Sequence, residues 1–119
     1  MATTLDEIQA RKEKRKIALQ NALDRITAQL RDMGALKVIV FGSFARGDVT
    51  SGSDLDLVAV MPSTKSGKEW RGQIYEEVDR DVDCDILAYT QEEVERLLPV
   101  SGILRTALQT GRTVYEAGH

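Results

Sequence analysis

Residues 54–61, Asp-Leu-Asp-Leu-Val-Ala-Val-Met, alternate for four positions and then turn wholly apolar. Alternation with a period of two marks a strand, and Pro62 ends it. In such a strand Asp54 and Asp56 share one face, while Leu55 and Leu57 point the other way into a core. Residues 36–41, Leu-Lys-Val-Ile-Val-Phe, are short, apolar and β-branched, the pattern of a second, buried strand. Residues 82–89, Val-Asp-Cys-Asp-Ile-Leu-Ala-Tyr, predict a third, with Asp83 and Asp85 on one face and Cys84 opposite.

Helical spacing fills the intervals. Leu19, Leu23, Ile26, Leu30 and Met33 step by four and three along one face, after a Thr4-x-x-Glu7 capping box and before a stop at Gly34. Between Lys68 and Arg80, Trp70, Ile74 and Val78 recur every four residues. Thr90 and Glu93 form a second capping box for a helix ending near Pro99, and a last helix spans about 102–110 before Gly111. Thr113-Val114-Tyr115 adds a short extended tail. The predicted order is α-β-β-α-β-α-α, an α/β (α+β) fold with a small mixed sheet flanked by helices. With 119 residues and 13.2 kDa, one domain over 1–119 is expected.

Composition narrows the chemistry. His119 is the sole histidine and the last residue, which argues against a Ser-His-Asp or Cys-His catalytic pair. Cys84 is the sole cysteine, so neither an intrachain disulfide nor a cysteine-rich zinc site is possible. A formal charge of 16 − 19 = −3 gives no strong nucleic-acid or membrane-surface signal. No run approaches a spanning helix and the N-terminus has no apolar leader core, so a cytoplasmic protein is expected. Catalysis is left to carboxylates, a metal or backbone donors.

Three groups of residues fit that remainder. Paired carboxylates on one strand face resist joint ionisation unless a cation bridges them, and Mg²⁺ suits oxygen ligands completed by substrate phosphates. Asp54 and Asp56 form such a pair; if the second and third strands are neighbours, a third acid joins them. Asp85 is the better candidate because core residues follow it, as they follow Asp56, and Asp83 is the alternative. Gly42-Ser43 directly follows a buried strand, where a tight turn lets a ligand approach the backbone and the Ser43 hydroxyl reach phosphate oxygens. Arg46 is placed to meet further phosphate charge. Separately, Arg11-Lys12-Glu13-Lys14-Arg15-Lys16 has a local charge of +4 and no apolar stripe; it reads either as a solvated helical face or as a docking surface for an acidic partner.

Gly42-Ser43, ten residues, then Asp54-Leu55-Asp56 resembles the signature of the DNA polymerase beta-like nucleotidyltransferase superfamily. The segment Gly42-Ser-Phe-Ala-Arg-Gly-Asp with Ser53-Asp-Leu-Asp-Leu is similar to its minimal nucleotidyltransferase (MNT) branch, as are Asp85-Ile-Leu and the closing residues 103–116. The resemblance covers about 36–116, the catalytic core; residues 1–34 form an N-terminal helix outside it. It implies a polymerase-beta palm-like fold, two Mg²⁺ ions held by Asp54, Asp56 and Asp85, and ATP phosphates held by Gly42, Ser43 and Arg46. Asp85 would help deprotonate an attacking hydroxyl. The same resemblance implies a HEPN-domain partner, with AMP transferred from ATP to a tyrosine of that toxin. Two other readings stand beside it: transfer to a small hydroxylated molecule such as an aminoglycoside, and an antitoxin that acts by binding alone.

Overall fold

The computed structural model describes residues 4–50, 52–80 and 82–118; Asp81 and the sole histidine, His119, lie outside the described residues. Helix α1 spans Leu5–Asp32, then strand β1 Lys37–Phe41, the short helix α2 Gly42–Arg46, and β2 Leu55–Met61. Helix α3 (Gly67–Glu77) leads to β3 (Cys84–Thr90), α4 (Gln91–Leu97), α5 (Gly102–Thr110) and β4 (Arg112–Glu116).

The sheet runs β3-β2-β1-β4. β1 pairs antiparallel with β2 and with β4, whereas β2 and β3 are parallel. A parallel pair needs a crossover, and α3 supplies it. Both faces of the sheet are covered. On one, Leu19, Leu23, Ile26 and Leu30 of α1 and Trp70 and Ile74 of α3 pack against Leu55 and Leu57. On the other, Val94 of α4 and Leu104 and Ala107 of α5 pack against Ile39, Val58 and Val60. That double cover explains why β2 becomes wholly apolar after Asp56.

The element ends differ from the sequence expectation for local reasons. The α1 cap is half formed: Thr4 Oγ1 accepts from the Glu7 N–H at 3.1 Å, without the return bond of a capping box. The box at Thr90 and Glu93 forms in full, and Ser66 with Glu69 adds one that starts α3 at Gly67. α3 stops at Glu77 rather than Arg80. There the Gln29 side chain of α1 donates to the Asp79 carbonyl at 3.1 Å and accepts from its N–H at 2.9 Å, which draws the chain out of the helix. The closing tail is a full sheet member, with Val38 opposite Tyr115. α2 was not expected as a separate helix. No helix among the described residues is long and apolar enough to cross a membrane.

Candidate active site

Strand register assembles the site. In the parallel β2–β3 pair Asp56 lies opposite Asp85 and Leu55 opposite Cys84. In the antiparallel β1–β2 pair Asp56 lies opposite Phe41, so Gly42 emerges from β1 against the same acid. Gly42 has φ +79°, and a Cβ there would collide with the Asp56 carboxylate oxygen Oδ2. Glycine is required twice over, by the left-handed turn and by the close approach. Asp83 stands just before β3, where its carbonyl accepts the Leu55 N–H at 3.2 Å.

The acids feel one another. Burial, first, and then the charges of Asp85 and Asp54 raise the Asp56 carboxyl above the usual range, while Arg46 pulls it down. Asp54 and Asp85 are exposed and Asp56 is half-buried. Among the described residues no three such side chains stand close enough to hold one ion together. Asp54 instead has its Oδ1 3.6 Å from an Arg15 guanidinium nitrogen. The pair Asp56–Asp85 is a hard oxygen donor set, and Mg²⁺ commonly takes one or two carboxylates with substrate phosphates completing its shell. The residues present therefore fit that cation.

Ser43 sits in the first turn of α2, which has no side-chain cap from Phe41. Its hydroxyl is 3.2 Å from the Ser53 hydroxyl, which also accepts from the Thr50 N–H at 2.8 Å. Ser53 is buried, so it ties α2 to the connection leading into β2. The first N–H groups of a helix lack intrahelical partners, which leaves donors beside Ser43. Arg46 is exposed and pairs with Asp48 at 3.4 Å. The sequence places Ser53 in the motif and Arg15 in the basic run but assigns neither its role: the serine has the look of a turn residue, and the arginine is hidden among like charges.

A pocket of about 260 Å³ adjoins Asp56 and Asp85, walled by Phe41, Ile86, Leu87 and Ile103. Larger clefts, of about 430 and 530 Å³, flank α1 and contain neither acid. Size alone would choose them; the paired acids line the smaller one.

Comparison with known proteins decides the family. The nucleotidyltransferase domain pattern matches residues 23–114, most of the chain and a span that contains the Gly-Ser and Asp-x-Asp motifs. The chain belongs to the nucleotidyltransferase domain family. This nucleotidyltransferase domain is also similar to the crystal structure of a Sulfolobus solfataricus protein ascribed to the nucleotidyltransferases. The TM-score is 0.64 at 17% identity, covering 89% of this chain and 87% of that one. At that identity the likeness shows the fold, an α+β nucleotidyltransferase fold. No curated protein matches.

Proposed function

We propose that this nucleotidyltransferase is a single cytoplasmic domain that moves AMP from ATP onto a tyrosine hydroxyl of a HEPN-domain toxin, with Mg²⁺, and so acts as its antitoxin. The observation that carries the transfer chemistry is the register of Asp56 opposite Asp85, with Gly42-Ser43 against the same acid. Asp56 and Asp85 would hold Mg²⁺, and Asp54 would join them once its carboxylate turns from Arg15. Bound there, the cation supplies charge neutralisation for the phosphoryl group in transfer and a more acidic attacking hydroxyl.

The chain's own residues supply position. Ser43 and the first N–H groups of α2 would meet phosphate oxygens, and the exposed Arg46 would swing from Asp48 towards phosphate charge. The acceptor oxygen attacks the α-phosphorus, the bond to the β-phosphate oxygen breaks, and pyrophosphate leaves with that electron pair. The hydroxyl proton passes to the exposed Asp85 carboxylate. No histidine is needed, because phosphoryl transfer rests on positioning and charge stabilisation.

The pocket beside the acids supports the choice of acceptor. Phe41, Ile86, Leu87 and Ile103 offer an apolar wall next to two carboxylates, which suits a phenol ring presented by a protein better than a polycationic sugar. The exposed Arg11, Lys12, Lys14 and Lys16 on α1 offer a docking surface for an acidic patch of that partner. The test is incubation with α-labelled ATP, Mg²⁺ and the product of the neighbouring gene, which this reading requires to be a HEPN-domain toxin. Label on a toxin tyrosine, lost in Asp56→Asn, is the expected result. Full neutralisation of the toxin by Asp56→Asn without any label would overturn it.

A further inference from the structure

Arg15 belongs to neither motif and lies outside the family-matched residues 23–114. It precedes Leu19, Ala22 and Ile26 at helical spacings, so it continues the core-facing side of α1 beyond the point where the apolar stripe ends. There the helix overhangs the connection between α2 and β2. The Arg15 side chain is 24% exposed, and its Nε–H donates to the Ser53 carbonyl at 2.8 Å. The same guanidinium reaches Asp54 Oδ1 at 3.6 Å. A planar fork can grip a backbone oxygen and a carboxylate at once; an ammonium cannot match that geometry. Through Ser53, whose hydroxyl meets Ser43 and the Thr50 N–H, the grip extends to the phosphate side of the site. Asp54 needs such a hold because it stands one residue before β2 begins.

We infer that Arg15 is a positioning residue for nucleotidyl transfer: it fixes Asp54 and occupies that carboxylate electrostatically until the divalent cation and nucleotide arrive. The inference rests on reading Asp54 with Asp56 and Asp85 as the cation site. It makes two consequences oppose each other. Loss of the Arg15 charge leaves the acids more attractive to a cation. Loss of the fork lets Asp54 wander and slows transfer.

The probe is Mn²⁺, titrated into metal-free full-length protein and followed by electron paramagnetic resonance, with melting temperature and transfer kinetics measured alongside. Arg15→Gln should bind Mn²⁺ about two- to fivefold more tightly, the range set by a partly exposed ion pair. Its kcat at saturating Mg²⁺ and ATP should fall about tenfold or more, as misplaced catalytic groups do. Arg15→Lys should keep the wild-type Mn²⁺ affinity and show an intermediate kcat, which tests the fork even if the glutamine variant folds poorly. An Arg15→Gln affinity for Mn²⁺ that is unchanged or weaker overturns the inference, as does activity that falls only in step with the folded fraction. If the wild type binds Mn²⁺ and transfers AMP while Arg15→Gln behaves like it, Arg15 alone is misassigned. If the wild type binds no Mn²⁺, the cation-site reading falls and this inference with it.

Discussion

Asp56→Asn should stabilise the metal-free protein and abolish the benefit of ligand. The amide is nearly isosteric with the carboxylate and still fits against Gly42. The wild-type carboxylate is half-buried beside Asp85 and Asp54, with only Arg46 to offset them. Like-charge interactions at partly exposed positions are worth about 0.2–1 kcal/mol each after solvent screening. With Arg46 subtracted, neutralising Asp56 should add roughly 0.5–1 kcal/mol, or about 2–4 °C in Tm for a domain of this size. Saturating Mg²⁺-ATP at about a hundredfold over Kd should stabilise the wild type by about 2.7 kcal/mol, and Asp56→Asn should lose most of that.

The pH dependence carries the sign. A carboxyl raised in the folded state penalises folding only when it is ionised. The penalty is absent below the unfolded value of about 3.9 and complete above the raised folded value. The advantage of Asp56→Asn should therefore be full at pH 7 and vanish as the pH is lowered through that window. The Glu93 carboxyl runs the other way: the Thr90 N–H bond, ahead of other causes, lowers it, so its stabilisation is lost on acidification. Glu93 is common to both proteins and cancels in their difference. Calorimetric melts in EDTA and in Mg²⁺-ATP, stepped from pH 7 to pH 3.5, measure both effects. A variant less stable than wild type in EDTA at pH 7, or a gain that ignores pH, would refute the reasoning and make Asp56 a structural residue.

Further outcomes can be checked alongside. Gly42→Ala should cost about 1–2 kcal/mol for its left-handed backbone and, by driving a methyl into Asp56, eliminate transfer. Gly47→Ala has a similar φ, +80°, with nothing within 4 Å of the added Cβ, so it should melt lower yet keep its activity. Asp85→Asn should abolish transfer of labelled AMP while Asp83→Asn retains it; the reverse would make Asp83 the third acid. Burial pushes the Cys84 thiol up to about 12, so alkylation of native protein by iodoacetamide at pH 8 should be on the order of a hundredfold or more slower than in denaturant.

What the sequence made legible follows from local rules. Apolar runs and period-two spacing located β1, β2 and β3, and period-four spacing located the longer helices, because those side chains meet the core. Gly42, Ser43, Asp54 and Asp56 could be singled out together, because their combined spacing resembles a family signature that neither pair carries alone. The pairing of Asp56 with Asp85 was conditional on strand order, which no local pattern specifies. β4 looked like a tail because Arg112–Glu116 is short and buries none of its side chains fully, so it carries little apolar pattern. Arg15 was beyond reach: its neighbours are charged, and only the crossing of α1 over the β2 connection gives it Ser53 and Asp54 as partners.

The ten-residue spacing between the two motifs also has a physical origin. Phe41 and Asp56 face each other across the antiparallel pair, so everything between them is a connection that leaves β1 and must return in register. The connection holds one short helix and a loop pinned by Ser53, and its ends are fixed by the pairing. On β2 the acids alternate with Leu55 and Leu57, both 0% exposed. A slip of one residue would turn the leucines to the acid face and drive Asp54 and Asp56 into the core packed by α1 and α3. The hydrophobic burial of two leucines is thus what aims two carboxylates, and Gly42 is what leaves room for that of Asp56. Core and site share one register, so changing the acids' direction means unfolding the strand that carries them.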